Sequence, residues 1–420
     1  MRIVILYNTS WYVFLMRRNL ITSLIEAGHS VAVLAPPDAY TERVKRLGVT
    51  YIPLSLNPTG TTPTQELVTL IQIYQALHEI RPDAVLSYTI KCNLYAGLCR
   101  SHMNFRHVAN ISGLGQAFDS NSFSTFLIRQ LYRRALTNTD TVFFQNKDDC
   151  HTLISQKIVT EAQSELIPGS GVDIERFRPL ARPARPQRSF LMFGRLLPKK
   201  GFRAYIEAAA IMRERYGDRV AFWILGAPDY ERPDSMELLE YIMAGHAQGA
   251  IRYLQSTDDV LPYIHDADVV VLPSTYNEGI PRSLLEALAC GKPIVTTDWK
   301  GCRETVHHEH NGFLVTPRDI DSLVRALIQL IECPSEQLVA MGHQSRRMAV
   351  ERFDERLVID RYHHAIGDHP KSSNQRRGPE ISTSRLAQQE RAMSTFASSV
   401  AEHSTSPSQT SILVRAEDPT

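Results

Sequence analysis

The chain lacks several features that would have fixed its class at once. Nowhere in its 420 residues is there a run approaching the roughly 20 apolar residues a membrane-spanning helix requires, so no spanning segment is expected. It lacks an excess of either charge: 46 Lys and Arg stand against 45 Asp and Glu, so no global field recommends nucleic acid as a partner. Cysteine is scarce, six residues with no CxxC pair and no finger spacing. Reduced thiols in a cytoplasmic protein fit that pattern better than a disulfide framework. No GxxxxGK[ST] loop occurs, and Gly169-Ser170-Gly171 lacks the third glycine and the strand-then-helix setting of a dinucleotide fingerprint. A signal peptide is not expected either. Asn8, Thr9 and Ser10 cut short the opening apolar run MRIVILY, which reads as a strand.

What is present is a rhythm. Apolar runs at 2–7, 30–35, 49–53, 83–87, 107–111 and 141–144 alternate with helical patterns such as 15–27 and 67–80. The alternation restarts after a Pro- and Arg-rich segment at 177–188, with runs at 190–193, 220–225, 251–254, 269–272, 293–296 and 312–315. Alternation of this kind builds βαβ units and parallel sheets covered by helices on both faces. The expected fold class is therefore α/β, with two Rossmann-like doubly wound domains, residues 1–176 and 177–350. Ligands of such sheets bind at the carboxyl ends of the strands, so the domains should face one another across a cleft. A last helix near 351–366 is placed to return to the first domain. From 369 to 420 Ser, Thr, Gln and charge dominate, and a disordered tail is expected.

Two stretches carry chemistry. In Val269–Thr297 an apolar run leads through a turn into a compact helix and a second apolar run. Pro281 suits the first helical turn, where its missing N–H costs nothing, and Gly291 and Pro293 are stop signals. At 100° per residue Leu284, Leu285, Leu288 and Ala289 form one stripe, and Glu286 falls beside Arg282 and Ser283 instead. Glu278 and Glu286 then either face one crevice or are a loop carboxylate and a wet i−4 pair with Arg282; spacing alone leaves these even. In Phe193–Gly201, Arg195 and Lys200 flank a turn that opens a helix, an arrangement suited to a pyrophosphate. Alone they could equally be surface cations. Together, cations for a diphosphate and carboxylates for hydroxyls are what a nucleotide sugar requires.

Five pieces in order make a resemblance: GRLLPKKG at 194–201, DADVVVLPS at 266–274, EGIPRSLLE at 278–286, ACGKPIV at 289–295 and NGFLV at 311–315. The second domain resembles the retaining glycosyltransferases of family 4, whose fold is called GT-B. PGSGVDIERFRP at 168–179 looks like the family's entry into that domain, and the resemblance spans about residues 1–366. It implies that Arg195 and Lys200 hold the donor diphosphate as a leaving group. It implies that Glu278 contacts hydroxyls of the donor sugar near Gly279, Ile280, Pro281 and Ser283, and that Glu286 holds the ribose. It implies no metal and no other cofactor, with retention through same-face attack.

In the first domain SYTIKCN at 87–93 and ISGLG at 111–115 look like the branch that builds capsule, O-antigen and lipid-linked oligosaccharides on an undecaprenyl-diphosphate carrier. Lys91 and Asn93 follow a strand and are the acceptor-binding candidates. The implied partners are a nucleotide-sugar donor, UDP-linked and with an N-acetylhexosamine as the sugar, and a lipid-linked glycan acceptor. Around 122–136, Phe123, Phe126, Leu127, Leu131 and Tyr132 interleave with Arg129, Arg133 and Arg134. That is a basic amphipathic helix fit for peripheral contact with the inner face of a cell membrane, although core packing is the commoner fate of such a stripe. Asp266-Ala267-Asp268 looks like a DxD metal motif, but it ends a helix and opens a strand, which argues against a metal. The rival functions are a nucleotide-sugar epimerase, a glycogen-synthase-like enzyme and an inactive partner subunit; the intact set Arg195, Lys200, Glu278 and Glu286 argues against the last.

Overall fold

The computed structural model describes residues 1–57, 62–114, 123–180 and 185–368. The expected tail at 369–420 lies outside them, as does residue 122 of the amphipathic segment. The first half runs β1 (Arg2–Leu6), α1 (Ser10–Glu26), β2 (Ser30–Ala35), α2 (Thr41–Lys45), β3 (Thr50–Pro53), α3 (Pro63–Ile80), β4 (Ala84–Tyr88), α4 (Ile90–Arg100), β5 (Arg106–Ile111), α5 (Phe123–Leu136), β6 (Thr141–Phe144), α6 (Lys147–Ser155) and β7 (Ser164–Leu166). The second runs β8 (Arg188–Phe193), α7 (Phe202–Tyr216), β9 (Val220–Gly226), α8 (Pro233–Ala247), β10 (Arg252–Gln255), α9 (Leu261–Asp266), β11 (Val269–Leu272), α10 (Arg282–Ala289), β12 (Ile294–Thr297), β13 (Gly312–Val315), α11 (Ile320–Glu332), α12 (Ser335–Arg352) and α13 (Glu355–Ala365).

Both sheets are parallel throughout, in the orders β3-β2-β1-β4-β5-β6-β7 and β10-β9-β8-β11-β12-β13. The apolar runs explain this. Ile3 to Leu6 and Val269 to Leu272 are buried along their whole length, as strands covered by helices on both faces must be. Each order reverses direction once, between β1 and β4 and between β8 and β11, and these are the switch points where such sheets bind ligands. Helix starts are set by short polar side chains: Thr9 accepts from the Tyr12 amide, Asn146 from Asp149 and Asp319 from Ser322.

Val172, Ile174 and Phe177 belong to the core of the second half, so the segment expected to be linker from 177 onward begins with a core anchor. Helix α13 returns to the first core through Val358, Tyr362, Ala365 and Ile366. Tyr362 meets Phe143 edge to face at 5.0 Å, and its hydroxyl accepts from Asn110 Nδ2 at 2.8 Å. Beyond the helix, Asp368 Oδ2 takes hydrogen bonds from His29 Nε2 (2.9 Å) and His363 Nδ1 (2.8 Å), pinning the end of α13 to the turn before β2.

Candidate active site

The two switch points open on one cleft of about 830 Å3. Its walls come from the segments following β1 (Tyr7, Asn8), β4 (Thr89, Ile90, Lys91), β8 (Gly194, Arg195) and β11 (Tyr276 to Ile280), with Arg282, Ser283 and Glu286 contributed by α10. Residues 80 or more positions apart thus converge because the strand order reverses there, not because they are near in sequence.

Lys200 ends a single 3-10 turn at Pro198–Lys200, and its Nζ lies 3.2 Å from Glu278 Oε2. Both side chains are largely buried, at 10% and 18% exposure. Glu278 Oε1 is buried with no hydrogen-bond partner, an acceptor left for something in the cleft. Arg195 projects over the Tyr12 ring at 5.8 Å. Burial opposes its charge, but Tyr12, Tyr276 and Glu278 outweigh burial and hold the guanidinium above its ordinary range. At the other end of α10's first turn, Arg282 Nε donates to Glu286 Oε1 at 3.0 Å. The i−4 pair exists, yet it is not a wet surface pair: burial pushes the Glu286 carboxyl up although Arg282 works against this. Both members line the cleft.

Four expected donor contacts sort themselves differently. Ile280 and Ser283 line the cleft. Pro281 is the residue before α10 rather than its first turn, is buried, and lies outside the cleft lining. Gly279 lines the cleft but gives its N–H to Ser112 O at 2.7 Å, joining the two halves, so that amide is committed here.

Of the acceptor candidates, Lys91 lines the cleft and is paired with Glu66 Oε1 at 2.6 Å and Asn57 O at 2.8 Å. Asn93 does not reach the cleft. It is wholly buried, accepting from Ser87 Oγ (2.8 Å) and donating to Asn110 O (2.9 Å). Two residues along a helix is about a 200° turn, so Lys91 and Asn93 point to opposite sides of α4. Asp268 is used structurally, accepting from Ser189 N (2.7 Å) and Oγ (2.9 Å), and Asp266 meets Arg185 at 3.1 Å.

Sequence reasoning missed the aromatic wall. Trp11, Tyr12, Leu15 and Met16 line the cleft with Tyr7 and Arg17. A signal existed for Arg17: it shares the buried face of α1 with Val13, Leu20 and Leu24, a cation on an apolar stripe. On α5 the expectation of core packing fails for Phe126, Leu127 and Leu131, which are 54%, 51% and 40% exposed, whereas Tyr132 is buried. Among the described residues no helix is long and apolar enough to cross a membrane.

Two parallel doubly wound sheets meeting at such a cleft have the GT-B architecture. Residues 173–348 match the family described as glycosyl transferases group 1, and residues 16–169 match a glycosyl transferase 4-like domain. The chain belongs to these family-4-like glycosyltransferases. It is 25% identical over 379 residues, 86% of this chain and 97% of the other, to the Campylobacter jejuni N,N'-diacetylbacillosaminyl-diphospho-undecaprenol α-1,3-N-acetylgalactosaminyltransferase. It is 26% identical over 312 residues, covering 69% and 76%, to the Escherichia coli UDP-Gal:α-D-GlcNAc-diphosphoundecaprenol α-1,3-galactosyltransferase. In fold it is similar to Anabaena HepE, crystallised with UDP and glucose, at a TM-score of 0.73 and 19% identity, over 88% of this chain and 100% of that one.

Proposed function

We propose that this glycosyltransferase moves a sugar, with retention, from a UDP-linked donor to an undecaprenyl-diphosphate-linked or other glycan acceptor in surface polysaccharide synthesis. An N-acetylhexosamine is the proposed sugar. The observation that carries the reading is the Lys200–Glu278 pair with its unpartnered Glu278 Oε1, set beside Arg195 at the β8/β11 switch point.

In this reading Arg195 and Lys200 bind the donor diphosphate and take up the charge that develops on it as the bond from the anomeric carbon to the β-phosphate oxygen breaks. The acceptor hydroxyl attacks from the face the diphosphate leaves, and its proton passes to the departing phosphate oxygen. Glu278 Oε1 accepts from a donor-sugar hydroxyl, with Ile280 and Ser283 beside it, and Glu286 accepts from the ribose, held in place by Arg282. Gly279 contributes shape, and Lys91 lies on the acceptor side. The two cations and the amino end of α10 supply the positive charge the leaving group needs, so activity is expected to survive EDTA. Phe126, Leu127 and Leu131, exposed beside Arg129 and Arg134, support peripheral contact with an anionic membrane face.

The test is mass spectrometry of lipid-linked oligosaccharides from a strain lacking the protein. A shortened intermediate missing one hexosamine is expected. An unchanged lipid-linked pool refutes the proposal.

A further inference from the structure

Arg17 is a cation in the wrong place for packing alone. It is 3% exposed, on the core-facing side of α1. A guanidinium cannot shed its proton, so the charge is buried with it. Its guanidinium carbon lies 4.3 Å from the Tyr88 ring centroid and 5.8 Å from that of Tyr362. Among the described residues no carboxylate is within ion-pair distance of it, and its Nε has no hydrogen-bond partner. Stacked rings offset part of the lost hydration and do not neutralise the charge. The side chain nevertheless lines the cleft.

The residue after Tyr88 makes the second half of the feature. Thr89 has φ 73 and ψ 161, a backbone a β-branched residue rarely adopts. It precedes the 11-residue helix α4 and makes no side-chain cap; its hydroxyl is buried with no hydrogen-bond partner. Thr89 and the first residues of α4, Ile90 and Lys91, line the cleft, and no Thr89 side-chain cap occupies the first amides of that helix. A buried guanidinium with no carboxylate beside it and a helix amino terminus without a side-chain cap, joined through Tyr88, are the two halves of an anion site. It belongs to the first half, whereas Arg195 and Lys200 belong to the second.

We infer that Arg17, Thr89 and the amino end of α4 form a second anion site, which holds the diphosphate of the acceptor while Arg195 and Lys200 hold that of the donor. This rests on the lipid-diphosphate acceptor proposed above. The site makes the enzyme select acceptors whose sugar carries a diphosphate.

Inorganic pyrophosphate titrated calorimetrically into the full chain, already saturated with UDP, tests it. Wild type is expected to bind. Arg17→Met should weaken pyrophosphate at least tenfold with UDP affinity unchanged, and Arg17→Lys should fall between. If Arg17→Met does not fold, Arg17→Lys carries the comparison. No pyrophosphate binding by UDP-saturated wild type, or equal binding in the variants, overturns the inference. A parallel loss of UDP affinity also overturns it, because the anion is then the donor's. Transfer to a diphosphate-free glycoside as good as to a prenyl-diphosphate-linked sugar overturns the acceptor reading itself, and is told apart by pyrophosphate binding that still depends on Arg17.

Discussion

Replacing Gly113 with alanine puts a methyl group where the two halves of the enzyme touch. Gly113 sits at φ +119, a region that favours glycine, and a Cβ built there would lie 2.6 Å from Glu278 Cα and 2.7 Å from Gly279 N. Both obstacles are backbone, so neither can swing aside. Relieving an overlap of this kind costs about 1–3 kcal/mol. Moving the Glu278–Gly279 turn away also breaks the 2.7 Å bond from Gly279 N–H to Ser112 O, worth about 0.5–1.5 kcal/mol. The closed arrangement therefore loses about 1.5–4.5 kcal/mol, roughly 10- to 2,000-fold in its equilibrium against an open one. Opening removes the clash, so the loss should appear in closure and turnover more than in folding. Gly113→Ala is expected to lower kcat/KM at least about tenfold and to enlarge the radius of gyration of the UDP-bound protein in small-angle scattering, with only a few degrees lost in Tm. Wild-type turnover and an unchanged radius in Gly113→Ala would refute the closure argument.

Further outcomes can be stated for other sites. Lys200→Ala should weaken UDP by about 2–5 kcal/mol in calorimetry and abolish turnover, and Glu278→Ala should abolish turnover while the fold persists by circular dichroism. The Asp368 carboxyl is raised by burial but drawn below its ordinary range by hydrogen bonds from His29 and His363. A depressed folded value means the stabilisation is present above the unfolded carboxylate value near ~4 and lost as pH falls through the folded one. Wild type should therefore melt roughly 1–3 °C above Asp368→Asn at pH 7, with the gap closing below about pH 4; a gap that grows in acid contradicts the assignment. Changing Phe126, Leu127 and Leu131 to serine should reduce co-sedimentation with anionic vesicles without altering UDP affinity, and unchanged sedimentation would remove α5 from the membrane proposal.

The sheets were legible because their signal is local and repeated: a strand buried on both faces must read as an unbroken apolar run, and twelve of the thirteen described strands, all but the three-residue β7, fell on such runs. Glu278 and Glu286 were legible as a pair because a turn and one helical turn fix their separation. What spacing could not supply was the environment. The Arg282–Glu286 contact has the same sequence signature on a surface as in a cleft, and only the second half's packing decides between them. Asn93 was misplaced by treating two neighbouring polar residues as one cluster when helical phase sends them to opposite sides. Arg17 was legible only as a cation on the apolar face of α1; nothing near it in sequence reveals Tyr88 and Tyr362, which reach it from β4 and from the returning α13.

Sugar transfer from a nucleotide donor held by Arg195, Lys200 and Glu278 is measured directly by incubating purified enzyme with bacterial membranes and a panel of radiolabelled nucleotide sugars. Organic-extractable, lipid-linked label from a UDP-sugar is expected, retained in EDTA and absent with Lys200→Ala. Nucleotide binding with no transfer from any donor, or equal label from Lys200→Ala, would contradict it.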